Sequence, residues 1–261
     1  MKQRASEVLQ AVGLITGPLL DISCCGRTFP NMIQTSSELA NPVSTSPEHG
    51  HLRISEIFLS LQGETSRVGL PTVFVRLTGC PLRCHYCDTE YAFHGGRRIA
   101  ISAILAEIAS YTVRHVTVTG GEPLAQKECP TLLRLLCDAG YSVSLETSGA
   151  MDISELDLRV SRIVDIKTPG SGELDKNHWS NIDWLTSHDE VKFVLCDKSD
   201  YEWAVAVMRE RELDRICPIL FSPVYGSLDP AMLAEWVLGD RLPVRVQVQL
   251  HKLLWGEGPG R

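Results

Sequence analysis

Thr78-Gly79-Cys80-Pro81-Leu82-Arg83-Cys84-His85-Tyr86-Cys87-Asp88-Thr89 places three cysteines at spacings of four and three positions. Thiolates this close together suit zinc or an iron–sulfur cluster. A closed structural zinc site usually presents two separated ligand pairs, and no second Cys pair follows here. Three ligands leave one coordination position open, as a catalytic centre requires. In a cubane cluster three irons would carry Cys sulfur and the fourth could take a small molecule. Spacing alone also leaves open a zinc knuckle completed by His85 or His94, and a Cys80–Cys84 disulfide.

Downstream, after an apolar run, stands Gly120-Gly121-Glu122-Pro123. Two glycines let the backbone approach a ligand without a Cβ in the way, and Pro123 removes a donor and stiffens the turn. The elements around both motifs alternate. Ile54 to Leu61 and Thr72 to Leu77 read as strands, and Ile101, Ile104, Leu105 and Ile108 recur at helical spacing. His115 to Val118 is strand, and Cys129 to Asp138 is a helix with Leu132, Leu133 and Leu136 inward and Gly140 as its C-cap. Ser142 to Leu145, Arg162 to Ile166 and Val191 to Leu195 are strands. Ser199 to Glu202 is a capping box for a helix burying Tyr201, Val205 and Met208. Pro218 to Phe221 is strand, and Asp229-Pro230 opens a helix with Met232, Leu233, Trp236 and Val237 inward. Val244 to Val248 closes the domain as a strand, and His251 ends the alternating run that continues from it.

Strands alternating with helices imply an α/β fold with a mostly parallel sheet, in which ligands sit outside the carboxyl ends of the strands. The polar motifs follow strands: Cys80 to Thr89, Thr119 to Pro123, Glu146 to Gly149, Asp165 to Thr168, Ser222-Pro223 and His251. They therefore converge on one rim.

At 261 residues, 44% hydrophobic and 22% charged, the chain is long enough for one sizeable core. Its net charge of −7 argues against a nucleic-acid partner, which needs clustered Lys and Arg, and favours a small-molecule substrate. Nine cysteines indicate a reducing, cytoplasmic setting, with Cys24, Cys25, Cys129, Cys137, Cys196 and Cys217 as buried or incidental thiols. Eighteen uninterrupted apolar residues occur nowhere, so no transmembrane helix and no membrane partner is expected. The opening residues imitate a signal peptide, but Glu7, Gly13, Gly17 and Pro18 spoil it. Thr35 to Gly50 has linker composition, which divides the chain into a flexible extension over residues 1–50 and a catalytic domain over 51–261.

The Cys-x3-Cys-x2-Cys run with Gly-Gly-Glu-Pro resembles the radical S-adenosylmethionine (SAM) superfamily. More narrowly, Ser60-Leu61-Gln62-Gly63-Glu64, Phe74 to Cys80, Cys87-Asp88-Thr89 and Gln249-Leu250-His251-Lys252 resemble the family of 7-carboxy-7-deazaguanine synthases, from about Arg53 to Trp255. The resemblance implies a partial, incomplete radical SAM-type β/α barrel. It implies a 4Fe-4S cluster on Cys80, Cys84 and Cys87, SAM on the open iron, Mg2+ at Thr89, and no catalytic residue beyond cluster and SAM. Leu61, Gln62, Gly63, Glu64, Arg76, Thr119, Glu146 and His251 would bind substrate. Tyr86, Cys87, Asp88, Gly121, Asp165, Ile166, Lys167, Ser222, Pro223, Val224 and Tyr225 would bind SAM. The implied reaction takes 6-carboxy-5,6,7,8-tetrahydropterin to 7-carboxy-7-deazaguanine with loss of ammonia, in a homodimer reduced by flavodoxin or ferredoxin. Two departures stand out. Asp165-Ile166-Lys167 replaces the Ser-Pro-Lys common in these synthases and is similar to glycyl-radical activating enzymes, and Thr65 stands where Gly is common.

Overall fold

The computed structural model describes residues 50–256 and Gly260, so the expected extension, with Cys24 and Cys25, lies outside the described residues apart from Gly50. The strands are β1 (His51–Leu61), β2 (Pro71–Leu77), β3 (Arg97–Ala100), β4 (His115–Gly120), β5 (Ser142–Thr147), β6 (Ser161–Asp165), β7 (Glu190–Leu195), β8 (Ile219–Pro223) and β9 (Arg245–Val246). They form one sheet in the order β3-β1-β2-β4-β5-β6-β7-β8-β9. From β2 to β9 every neighbouring pair is parallel, whereas β1 runs antiparallel to both β2 and β3. Among the described residues β3 and β9 do not pair, which leaves the sheet an open, incomplete barrel as expected.

Burial dictates composition. The central strands carry Val73, Val75, Val116, Val118, Val143, Leu145, Val191, Phe193, Ile219 and Phe221, all under 2% exposed, as strands covered on both faces must be. Parallel neighbours need crossover connections. Helices α1 (Ile101–Ser110), α2 (Cys129–Asp138), α3 (Lys198–Glu210) and α4 (Pro230–Asp240) fill several of them, and a short α5 (Leu250–Trp255) follows β9. Helix α1 buries Ile101, Ile104, Leu105 and Ile108. Helix α2 buries Leu132, Leu133 and Leu136. It ends in a Schellman motif, with Gly140 at φ +84, its N–H bonded to the Cys137 carbonyl and that of Tyr141 to Leu136.

Four sequence readings need correction. The N-cap of α3 is Asp197, whose carboxylate accepts from the Asp200 N–H, so the helix starts before Ser199. Met232 is 49% exposed, because α4 buries only Leu233 and Val237. The last strand shrinks to two residues, and His251 sits in the first turn of α5. Strand β3 was not anticipated.

Thr65 takes φ +69, a costly conformation for a β-branched side chain. Gln247 Oε1 accepts its N–H at 2.8 Å and its own hydroxyl accepts from the Arg67 N–H at 3.1 Å, which fixes the turn between β1 and β2.

Candidate active site

A cavity of about 710 Å³ opens at the carboxyl ends of the parallel strands. The loop after β2 carries Cys80, Cys84 and Cys87 onto its wall, all half-buried and free of disulfide bonds, which removes the Cys80–Cys84 pairing. Among the described residues no three His, Cys, Asp or Glu side chains converge tightly enough to hold one metal ion. All three thiols line the same cavity, and a cluster in which each sulfur takes its own iron suits three separate thiol ligands. Burial pushes all three thiols up, Cys84 to about 11, so a metal must displace a proton from each.

Gly120 and Gly121 serve this loop directly. A Cβ on Gly121 would lie 2.4 Å from the Gly79 carbonyl oxygen and 2.6 Å from Cys80 Cβ, and one on Gly120 would lie 2.2 Å from the Leu77 oxygen. The close approach these glycines permit is therefore to the cysteine loop. Glu122, fully buried, braces the junction by accepting from the N–H groups of Leu124 and Ser148 and from the hydroxyls of Thr147 and Ser148.

Two buried polar atoms on this wall, Tyr86 Oη and Asp165 Oδ1, have no hydrogen-bond partner among the described residues. Orphaned groups are costly unless a ligand satisfies them. Beside them lie Gly121, Lys167 and the end of β8 with Ser222, Pro223, Val224 and Tyr225, so the surroundings fit a polar cofactor such as SAM. Ile166 does not join them. Side chains alternate along an extended chain, and with Asp165 and Lys167 facing the cavity Ile166 turns into the core at 4% exposure. Lys167 is held by Asp165 at 2.9 Å.

The opposite wall collects the proposed substrate groups. Leu61, Gln62, Gly63 and Glu64 leave β1, Arg76 lies on β2, Thr119 on β4 and Glu146 on β5. Gln62 Nε2 donates to Glu146 Oε1 at 3.2 Å, and the Thr119 hydroxyl to Glu146 Oε2 at 3.0 Å. Burial holds the Glu146 carboxyl above its usual range. Glu64 is buried too, yet the Lys192 ammonium at 2.8 Å outweighs burial and keeps its pKa low. Two neighbouring carboxyls are thus shifted in opposite directions. Arg76 donates from Nε to Glu56 at 2.7 Å, which also accepts from Tyr91 Oη at 2.8 Å.

Helix α5 completes the wall. The Leu250 N–H bonds to the Gly63 carbonyl at 3.0 Å, and His251 packs so closely that a Cβ on Gly63 would lie 2.3 Å from Nδ1. Lys252 and Gln249 donate to Asp88 Oδ2 at 2.7 and 3.2 Å. Thr89 donates its hydroxyl proton to Asp88 Oδ1 at 2.9 Å, so its lone pairs remain for a hard cation such as Mg2+. The cavity therefore gathers every predicted site residue except the Ile166 side chain. Sequence reasoning passed over Glu56, Tyr91, Lys192, Gln249 and Lys252. Of these Lys192 carried a signal, a lysine inside the apolar strand Glu190–Leu195.

A sequence model of the radical SAM superfamily matches residues 74–210. A 7-carboxy-7-deazaguanine synthase of Chlorobaculum tepidum is 44% identical over 207 residues, 78% of this chain and 94% of the relative. The chain belongs to the 7-carboxy-7-deazaguanine synthase family. Another synthase of the family, from Koribacter versatilis, is 42% identical over 78% of this chain and 97% of its own length. The crystal structure of QueE from Escherichia coli shares the fold at a TM-score of 0.65 and 24% identity, over 77% of this chain and 95% of that one. As a radical SAM enzyme of this family the chain uses a 4Fe-4S cluster, SAM and Mg2+. For a 7-carboxy-7-deazaguanine synthase built this way, Gly63→Ala is expected to displace the His251 ring. Turnover of substrate per KM should fall about 10- to 100-fold, the usual consequence of misplacing a contact by about an ångström, with SAM affinity unchanged. Steady-state kinetics beside a SAM-binding titration checks this, and unaltered kinetics would take His251 out of the substrate wall.

Proposed function

We infer that the protein converts 6-carboxy-5,6,7,8-tetrahydropterin to 7-carboxy-7-deazaguanine with loss of ammonia, a step of queuosine and related 7-deazapurine synthesis. The observation that carries this reading is the single cavity shared by three thiols, the Gly120-Gly121 loop and the Gln62, Glu64, Arg76, Glu146 and His251 group. The cluster and SAM, when bound, supply the radical hydrogen abstraction. The chain's residues recognise and orient. Glu64, kept ionised by Lys192, accepts from the exocyclic amine of the pterin, while Glu146, oriented by Gln62 and Thr119, faces the ring beside it. Arg76, steadied by Glu56, presents its remaining guanidinium N–H groups to the substrate carboxylate. Thr89 holds Mg2+ with its hydroxyl oriented by Asp88. Asp165, Lys167 and Tyr86 receive polar atoms of SAM.

The same reading assigns activity to residues 51–261 and the enzyme to a cytoplasmic homodimer reduced by flavodoxin or ferredoxin. No helix of the described residues is long and apolar enough to cross a membrane. An anaerobic assay with SAM, Mg2+, dithionite and the carboxypterin, read by mass spectrometry, should show the deazaguanine acid formed and ammonia released. SAM cleavage that proceeds only with a large protein substrate would replace this reading with a glycyl-radical activase.

A further inference from the structure

The turn that brings Glu64 to the cavity is held in a conformation that its own sequence disfavours. Thr65, next in the chain, lies at φ +69, in the region that favours glycine and penalises a β-branched side chain. The restraints come from residues more than a hundred positions away. Glu190, which opens β7 and is 4% exposed, accepts from the Ser66 N–H with both carboxylate oxygens, at 3.0 and 3.2 Å. Lys192, on the same strand, donates to the Glu64 carboxylate at 2.8 Å. Gln247, directly after β9, accepts from the Thr65 N–H at 2.8 Å. Three successive residues of the turn are therefore each pinned from outside it.

The partners of the Gln247 amide fix its orientation. A main-chain N–H can only donate, so the amide oxygen faces Thr65, and Nε2 is left to donate to Ser222 Oγ at 3.0 Å. The Gln247 N–H bonds to the Phe221 carbonyl at 3.0 Å, which seats its main chain against β8. One side chain thus ties the turn after β1 to Ser222 near the end of β8. Three residues further on, the Leu250 N–H bonds to the Gly63 carbonyl, so the segment leaving β9 grips the turn at both ends of Glu64. Neither Thr65 nor Gln247 lines the cavity, whereas Gly63, Glu64 and Ser222 do. Whatever Gln247 does to a bound ligand it does through them.

We propose that Gln247 is a positioning residue for the substrate: by pinning Thr65 in the left-handed region it aims the Glu64 carboxylate at the exocyclic amine of the pterin. This rests on the reading of the cavity as a carboxypterin site. Released from Gln247, a threonine at position 65 returns toward negative φ, and the peptide that joins it to Glu64 turns with it. Glycine enters the left-handed region freely, so the need for Gln247 is created by the threonine. Gln247 acts on substrate binding and leaves the chemical step to the cofactors, because Glu64 meets the pterin in ground state and transition state alike.

The full chain with its cluster reconstituted is compared in steady-state kinetics with the carboxypterin, in a SAM-binding titration and in hydrogen exchange across residues 62–69. Gln247→Met, close in size but without the amide, is expected to raise the pterin KM about tenfold while kcat stays within about threefold. SAM affinity should stay within about twofold, and the amides of the turn should exchange at least about tenfold faster while those of the central strands do not. Adding Thr65→Gly should bring KM back to within about threefold of the wild type, a recovery that general damage would not show. An unchanged KM, equal losses of pterin and SAM affinity, unaltered exchange in the turn, or no recovery with Thr65→Gly would overturn the proposal. A wild type that neither binds nor converts the carboxypterin defeats the catalytic reading instead, and exchange in Gln247→Met still decides whether Gln247 holds the turn.

Discussion

Cys84→Ala is expected to give folded protein that cannot assemble an intact cluster and shows no detectable turnover. The loop around Cys84 is held by groups other than its sulfur: the His85 N–H bonds to the Ser171 carbonyl at 3.0 Å, the Arg83 N–H to Glu173, and Gly79 to Ala92 at 2.8 Å. Loss of a half-buried thiol from such a loop should cost no more than about 1 kcal/mol of stability without metal. The effect on the cluster is of another order, because with three thiols for four irons the removal of one leaves two irons without protein sulfur. Anaerobic reconstitution with iron and sulfide counts, absorbance and circular dichroism measures both sides. Cys196→Ala is the control, since Cys196 lies outside the cavity wall and its sulfur faces Asp200. A full complement of iron and sulfide in Cys84→Ala would disprove the ligand assignment, and equal losses in both variants would point to general damage.

The parts of this site that local chemistry dictates were legible in the chain. Cysteine spacing, the glycine pair and apolar runs of strand length are set within a few residues, and the alternation of strands with helices implies a mostly parallel sheet. What escaped depends on distant partners. Strand β3, Arg-Arg-Ile-Ala, has no amphipathic signal and exists because β1 offers an edge. The alternation of Val244 to Val248 reads as strand, yet β8 pairs with only two of these residues, and α5 is fixed by Gly63 and Asp88 far upstream. Met232 has helical spacing, but α4 buries too narrow a stripe to reach it. For Ile166 the signal was local and overlooked, since strict alternation sets it against Asp165 and Lys167.

Lys192→Met is expected to destabilise the fold by about 3–5 kcal/mol at neutral pH, the cost of leaving a buried charge without its partner. Lys192 is the cation that holds Glu64, at 2.8 Å, whereas Asp165 lies 3.9 Å from Lys192 and keeps Lys167 at 2.9 Å. The deficit therefore concentrates on Glu64, and its pH dependence has a definite sign. In the wild type the Glu64 pKa lies below its ordinary 4.5, so its contribution is present above pH 4.5 and is lost as pH falls through the folded value. Without Lys192, burial, the largest influence, is opposed chiefly by the Gln249 hydrogen bond and is expected to lift the carboxyl above 4.5. Its contribution is then present at low pH and is lost as pH rises through the raised value. The difference between variant and wild type should accordingly be small at about pH 5 and large at about pH 8, measured by urea denaturation. Adding Glu64→Gln to Lys192→Met should recover part of the loss at about pH 8, because the unpaired charge is gone, while pterin turnover stays impaired for want of the acceptor. A deficit below about 1 kcal/mol, or one equal at both pH values, would show that Lys192 does not hold Glu64 ionised, and the role of Glu64 as an ionised acceptor for the pterin would fall with it.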